Sequence, residues 1–154
     1  MNQSCKFEQL PRQHSAYVRV RTPAARLPEL MGQSYAKIQI FLTQHNLQIS
    51  GPPYALYFNM DMEDLDVELG FPVNTEFEDG GDVRPGEVPD NKYATCIHKG
   101  PYSTLESAYQ ALDEWTSKQG AQASGQAYEF YLNDPNEVIE SELLTKILFP
   151  LQKG

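Results

Sequence analysis

The chain has few of the groups that commonly announce a function. It holds 2 cysteines and 3 histidines in 154 residues. Cys5 and Cys96 are isolated in the sequence, without CxxC spacing, and read as reduced thiols of a cytoplasmic protein. His14, His45 and His98 show no metal-ligand spacing among themselves, so neither a metal nor another cofactor is expected. Gly80-Gly81 is a loop dipeptide, not a phosphate-cradling motif. No apolar run reaches the length of a membrane-spanning helix, and Met1-Asn2-Gln3-Ser4-Cys5 is not the start of a signal peptide. Positive charge is scarce as well: 12 Lys and Arg stand against 21 Asp and Glu, a net charge of −9. Phosphate backbones and anionic membranes require the opposite balance, so DNA, RNA and membrane are not expected as main partners.

What the chain does have is an internal repeat. Laying residues 35–59 on 109–133 aligns Tyr35 with Tyr109, Gln48 with Gln122, Ser50 with Ser124, Gly51 with Gly125, Tyr54 with Tyr128, Tyr57 with Tyr131 and Asn59 with Asn133. With small gaps the flanks agree: Ala16-Tyr17 with Lys92-Tyr93-Ala94, and Leu69 to Val73 with Ile147 to Leu151. The length suits a single domain over residues 1–154, made of repeat one (about 15–72), an acidic linker (73–91) and repeat two (about 92–151). Two such copies are expected to pack about a pseudo-twofold axis with a shared cleft.

Each copy reads strand, helix, strand, strand. Residues 15–20, 54–59 and 65–72 are predicted strands of the first, and 93–98, 127–132 and 143–150 those of the second. A helix over 28–44 carries Leu27, Leu30, Met31, Tyr35, Ile38 and Leu42 along one face. A second, over 104–119, carries Leu105, Ala108, Tyr109, Leu112 and Trp115. Ser103-Thr104-Leu105-Glu106 has the capping-box pattern at its start, and Gly120 can end it. Residues 73–92 are rich in Gly, Pro, Asp and Glu and read as an exposed connection; their carboxylates lack the spacing of a calcium loop. The fold class is α+β: an antiparallel sheet with two long helices on one side and a ligand cleft between the repeats.

The asymmetry between the copies points to function. Position 55 is Ala, whereas the equivalent position 129 is Glu. Strand alternation puts Tyr128, Phe130 and Leu132 on one face, expected beneath the helices, and Ala127, Glu129 and Tyr131 on the other. Thr145, Ile147 and Phe149 match Val67, Leu69 and Phe71 and belong to the helix side, leaving Lys146 and Leu148 to share a face with Glu129. A carboxylate among tyrosines suits a cationic ligand, because ring faces attract the cation and the carboxylate balances its charge. The alternative is a Glu129–Lys146 cross-strand ion pair on a wet surface. Tyr54, Tyr128 and Tyr109 read as core residues with the hydroxyl at the rim, and Trp115 as either core or ligand platform.

The segments Tyr93-Ala94, His98-Lys99-Gly100-Pro101-Tyr102, Glu114-Trp115, Tyr128 to Pro135 and Thr145 to Leu151, in this order, resemble the GyrI-like small-molecule-binding domain family. These are effector-binding domains of AraC/Rob-type and MerR-type multidrug-responsive regulators, which also occur free-standing. The resemblance covers nearly the whole chain. It implies two β-α-β-β units, and it implies that Glu129 is the pocket carboxylate and that Tyr93 and Tyr35 match aromatic pocket positions. Relatives often carry an acid and a tyrosine where this chain has Lys146 and Leu148. No helix-turn-helix segment is present, so direct DNA binding is not expected. The leading expectation is a module that binds a small aromatic, cationic or amphipathic molecule through Glu129, Tyr35, Tyr57, Tyr93, Tyr131 and Trp115, for sensing or sequestration. The resemblance also implies two alternatives: a protein-binding inhibitor of DNA gyrase, and a hydrolase of reactive cyclopropane-containing compounds with Glu129 as general acid or base.

Overall fold

The computed structural model describes residues 4–152 and has eight strands among them; Met1–Gln3, part of the segment read as lacking a signal peptide, lie outside the described residues. The class is mixed α+β with antiparallel strands and two long helices. The chain divides into two compact units, one of residues 11–90 and one of residues 4–10 with 91–152.

The unit of residues 11–90 contains β2 (Gln13–Thr22), α1 (Leu27–Gln44), β3 (Tyr54–Tyr57), β4 (Leu65–Pro72) and β5 (Arg84–Val88), with strands ordered β3-β4-β2-β5. Pro28 falls in the first turn of α1, where the missing N–H leaves no bond unmade. Ile38 and Leu42 of α1 pack on Ala16, Val18 and Phe71 of the strands. The acidic connection is not simply exposed. Val83 and Val88 are buried, and β5 pairs with β2 from Gln13↔Val88 to Tyr17↔Arg84. Arg84-Pro85-Gly86-Glu87-Val88 hides this strand because Pro and Gly normally punctuate loops. An edge position tolerates the proline, which has no N–H to offer a further neighbour.

The other unit contains β1 (Lys6–Leu10), β6 (Asn91–Lys99), α2 (Leu105–Lys118), β7 (Ala127–Tyr131) and β8 (Leu144–Pro150), ordered β1-β6-β8-β7. Its sheet repeats the first plan, with β1 beside β6 in the place that β5 takes beside β2. Small features repeat too. Ser50 N donates to Pro72 O and Ser124 N to Pro150 O, while isolated bridges join Ile49 to Val73 and Ala123 to Leu151. Ala108 and Leu112 of α2 pack on Ala94, Cys96, Ala127, Ile147 and Phe149.

The helix ends follow the sequence unevenly. Gly120 adopts φ +80° and its N–H reaches Ser117 O, as a glycine terminator should. The capping box does not form. Tyr102–Thr104 make a 3-10 turn ahead of α2, and the Thr104 hydroxyl donates backward to Pro101 O instead of capping the helix.

Gly70 matters for the sheet of residues 11–90. A Cβ there would sit 2.6 Å from Ala16 O and 2.8 Å from Tyr54 Oη, both tighter than any van der Waals contact. The Tyr54 hydroxyl lies over this glycine to donate to Glu68 Oε2 at 2.7 Å, with Ser15 Oγ 3.0 Å away. Gly70→Ala should therefore cost about 1–3 kcal/mol of stability, seen as a lower denaturant midpoint with unchanged slope. An unchanged midpoint would show that Tyr54 can leave Gly70 freely.

Candidate functional site

Glu129 lies on β7 opposite Ile147 of β8, and Ile147 belongs to the cluster under α2. Glu129 therefore shares the helix side, together with Ala127, which is buried in that same cluster. This reverses the facing expected from alternation: Tyr128 and Phe130 occupy the sheet's other face, with their rings stacked 5.9 Å apart. Alternation misleads here because β7 is buried on both faces; Ala127, Tyr128, Glu129 and Phe130 are all below one-tenth exposed. Lys146 also lies on that other face, opposite Phe130, and pairs with Glu8 at 2.9 Å. It forms no cross-strand pair with Glu129 and does not share its face.

Two phenols hold the carboxylate. Tyr109 of α2 donates to Glu129 Oε2 at 2.6 Å, and Tyr131 donates to Oε1 at 2.7 Å. The Tyr102 ring meets that of Tyr131 edge-on, with centroids 5.6 Å apart. Burial pushes the Glu129 carboxyl above its ordinary pKa, and the two phenol hydrogen bonds, which favour the charged form, oppose this only partly. Among the described residues, no lysine or arginine pairs with it. Burial also raises the Tyr102 phenol, helped by the charges of Asp134 and Glu129.

The first copy shows what the glutamate changes. Tyr35, the counterpart of Tyr109, stands in a copy where position 55 is Ala; its hydroxyl donates to Tyr54 O at 2.7 Å, and its ring meets Phe71. Two further polar replacements accompany Glu129. The sheet pairings make His98 the counterpart of Val20 and Thr145 that of Val67, and both lie on the α2 side with Glu129. His98, Thr145 and Tyr131 form one row across β6, β8 and β7. Thr104 Oγ1 donates to Pro101 O, so in its 2.8 Å contact with His98 Nε2 it accepts, which places a proton on Nε2.

Thr145 Oγ1 is fully buried and, among the described residues, has no hydrogen-bond partner. Leaving a buried hydroxyl unmatched costs about 1–3 kcal/mol. Thr145→Val, which restores the residue type of the first copy, should raise the melting temperature, with a gain of about 1 kcal/mol. A loss of stability instead would reveal a partner for the hydroxyl, such as a buried water.

The other expected site residues are spread out. Tyr57 is half-buried on the α1 side of β3, in the place Tyr131 holds on β7. Tyr93 is fully buried on the sheet face opposite Glu129, against Tyr128 with centroids 6.2 Å apart. Trp115 packs on Phe7 of β1 with centroids 4.7 Å apart, which puts it at the far edge of its unit from Glu129, roughly 14 Å away by strand spacing. Tyr109, read from the sequence as a core residue, is the direct partner of Glu129; the signal was that Tyr35 and Tyr109 are equivalent in the repeat while Ala55 and Glu129 differ. Glu68 is a second buried carboxylate, bonded to Tyr54 and raised in pKa by burial, with Tyr54 and Arg19 opposing. Two surface hollows lie elsewhere: one of about 460 Å³ beside Leu42 and Leu47, and one of about 330 Å³ beside Lys6 and Lys146. Among the described residues, no cluster of His, Cys, Asp and Glu could hold a metal ion, and no helix is long and apolar enough to cross a membrane.

Residues 3–152 match the GyrI-like small molecule binding domain family, and the chain belongs to that family. Among solved structures, it is similar to the EcmrR C-terminal domain, with TM-score 0.84, 23% identity and 100% of each chain covered. In the EcmrR–DNA complex it matches with TM-score 0.79 and 23% identity, covering 99% of this chain and 58% of that one, so it spans somewhat over half the length of that relative. A hydrolase encoded by lin2189 from Listeria innocua matches with TM-score 0.70 and 12% identity, over 96% of this chain and 91% of that one. SAV2435 bound to tetraphenylphosphonium matches with TM-score 0.64 and 10% identity, over 99% and 94%. No curated protein matches the chain.

Proposed function

We propose that this domain binds small aromatic or amphipathic cations, with Glu129 as the balancing charge and Tyr109, Tyr131 and Tyr102 as its aromatic surround. The observation that carries this reading is the state of Glu129: it is 6% exposed, held by two phenols, and without a basic partner among the described residues. Such a carboxylate lacks a counter-charge that a cation would supply, and phenol rings attract the same cation through their faces. SAV2435, which shares the fold, has been captured with an aromatic cation. The resemblance to the EcmrR C-terminal domain supports a role as the effector-sensing part of a regulatory system, with Tyr35, Tyr57 and Tyr93 as further candidate aromatic contacts.

Titrating matched cationic and anionic aromatic dyes tests the charge preference. Because Trp115 is remote from Glu129, dye polarisation is a more direct readout than tryptophan quenching. The cation should bind more tightly by roughly 1–3 kcal/mol, or about 5- to 150-fold. Equal or tighter binding of the anion would overturn the assignment.

One observation favours a second reading. A carboxyl whose pKa is raised by burial is suited to be a general acid, and a protein of this fold is a hydrolase. In that reading Glu129 protonates or deprotonates a reactive electrophile instead of neutralising a bound cation.

A further inference from the structure

We propose that Cys5 and Cys96, far apart in the sequence, are a redox-modification site that closes into a cross-strand disulfide fastening the N-terminal segment to β6. The β1–β6 register carries the argument. Lys6 lies opposite Thr95 and Phe7 opposite Ala94, so one step further places Cys5 opposite Cys96. Directly opposed residues of antiparallel strands have Cα atoms about 4.5–5.5 Å apart, inside the roughly 4.4–6.8 Å that a disulfide spans. The side chains point the same way. Cys96 is in the core cluster under α2, and Cys5 packs against that cluster beside Phe7. The two thiols lie close enough for each to influence the ionisation of the other. They are the 2 cysteines of the chain, so neither has another intramolecular partner to exchange with.

The chemistry is ordered by access. Cys96 is 1% exposed, whereas Cys5 is only half-buried, so a small hydroperoxide reaches Cys5 first. The Cys5 thiolate attacks a peroxide oxygen, the O–O bond breaks and water leaves, giving a sulfenic acid at Cys5. The Cys96 sulfur then attacks the Cys5 sulfur, the S–O bond breaks and a second water leaves with the Cys96 proton. Two thiols and one hydrogen peroxide thus give one disulfide and two waters. Burial raises the Cys5 thiol and, aided by its neighbour Cys5, pushes Cys96 up to about 12. Thiolate is therefore scarce at neutral pH, and the reaction should be slow and accelerate as pH rises.

The test uses the full chain treated with hydrogen peroxide after complete reduction. The expected result is a monomer that has lost two hydrogen masses, has no thiol titratable under denaturing conditions, and yields a peptide joining Cys5 to Cys96. Because the bond closes a loop of most of the chain, the oxidised protein should melt on the order of 10 °C higher, and reductant should reverse the shift. Cys5→Ser and Cys96→Ser each remove the mass loss and the shift. Oxygen adducts on separate cysteines, or a disulfide between two chains in place of the internal bond, would overturn the proposal.

Discussion

Glu129→Gln should weaken binding of an aromatic cation by about 30-fold to several thousand-fold, the equivalent of about 2–5 kcal/mol, while a neutral analogue of the same shape binds nearly as before. The amide keeps the volume and removes the charge. It also disturbs the clasp modestly: Tyr109 and Tyr131 each donate to one carboxylate oxygen, and Gln offers one oxygen and one NH₂. One phenol must then turn from donor to acceptor, which its hydroxyl can do. Isothermal titration with the cation and its neutral analogue separates the two effects. Parallel loss for both ligands would mean that the substitution damages the site's shape, and the charge assignment would fall. The hydrolytic reading predicts another pattern: affinity for a reactive electrophile is kept, and turnover drops about 100-fold or more. Product formation by the wild type, abolished in a mutant of intact affinity, would make Glu129 a general acid or base.

The elements that define this fold were legible because their signals are periodic and repeated. The α1 stripe through Ile38 and Leu42 buries one face, so period and burial agree there; β4 is buried along nearly its whole length, and its strand was readable because Val67, Leu69 and Phe71 alternate with Asp66, Glu68 and Gly70. β1 and β5 were missed for a shared reason. Each is short, lies at the end of its unit's strand order and carries much of its surface in polar side chains. What identifies them is pairing with β6 and β2, which a local pattern does not contain. Pro85 and Gly86 added misdirection in β5. Gly86 is needed there because a Cβ would lie 2.8 Å from the Tyr17 ring.

The candidate site was half legible. The Ala55–Glu129 difference drew attention to a carboxylate that is buried and held by two phenols, yet the face was reversed. Hydrophobicity can orient a strand only when one side meets water, and β7 has none to spare on either side. The register with β8 decides the face, since Glu129 must go where Ile147 goes. Once the face is known, Tyr109 becomes a partner of Glu129 instead of a core residue, and Lys146 moves to Glu8. His98 and Thr145 also come into view only then. They are three apolar-to-polar changes with Glu129, all on one face of one copy, and each alone looks like ordinary variation between strands.

Affinity for a cation should rise with pH, about tenfold per unit, until the raised pKa of Glu129 is passed, and then level off. The sign follows from the burial that raises this carboxyl. Below its folded pKa the site is neutral, and binding a cation must expel a proton; above it the charge is already present. Titrations in buffers of different ionisation enthalpy should detect that release, and Glu129→Gln should abolish it. Apo stability must move the opposite way. A carboxyl with a raised folded pKa holds its proton more tightly folded than unfolded, so its favourable contribution is complete below the unfolded value and is lost as pH rises through the folded one. Glu68, also raised by burial, acts in the same direction. Glu8, Asp64 and Asp66 are lowered and act oppositely: although desolvation raises Glu8 most, Lys146 and Thr95 outweigh it, and the arginine hydrogen bonds lead for the two aspartates. Their stabilisation is lost as pH falls. Subtracting the curve of Glu129→Gln from that of the wild type cancels these shared terms. The stability advantage of the mutant should grow from the ordinary carboxylate pKa upward, by up to about 1.4 kcal/mol per pH unit, and flatten where cation affinity flattens. Coincidence of the two plateaus would identify one titrating group behind both effects. Plateaus separated by more than a pH unit would assign the binding titration to another residue and remove Glu129 from the cation site.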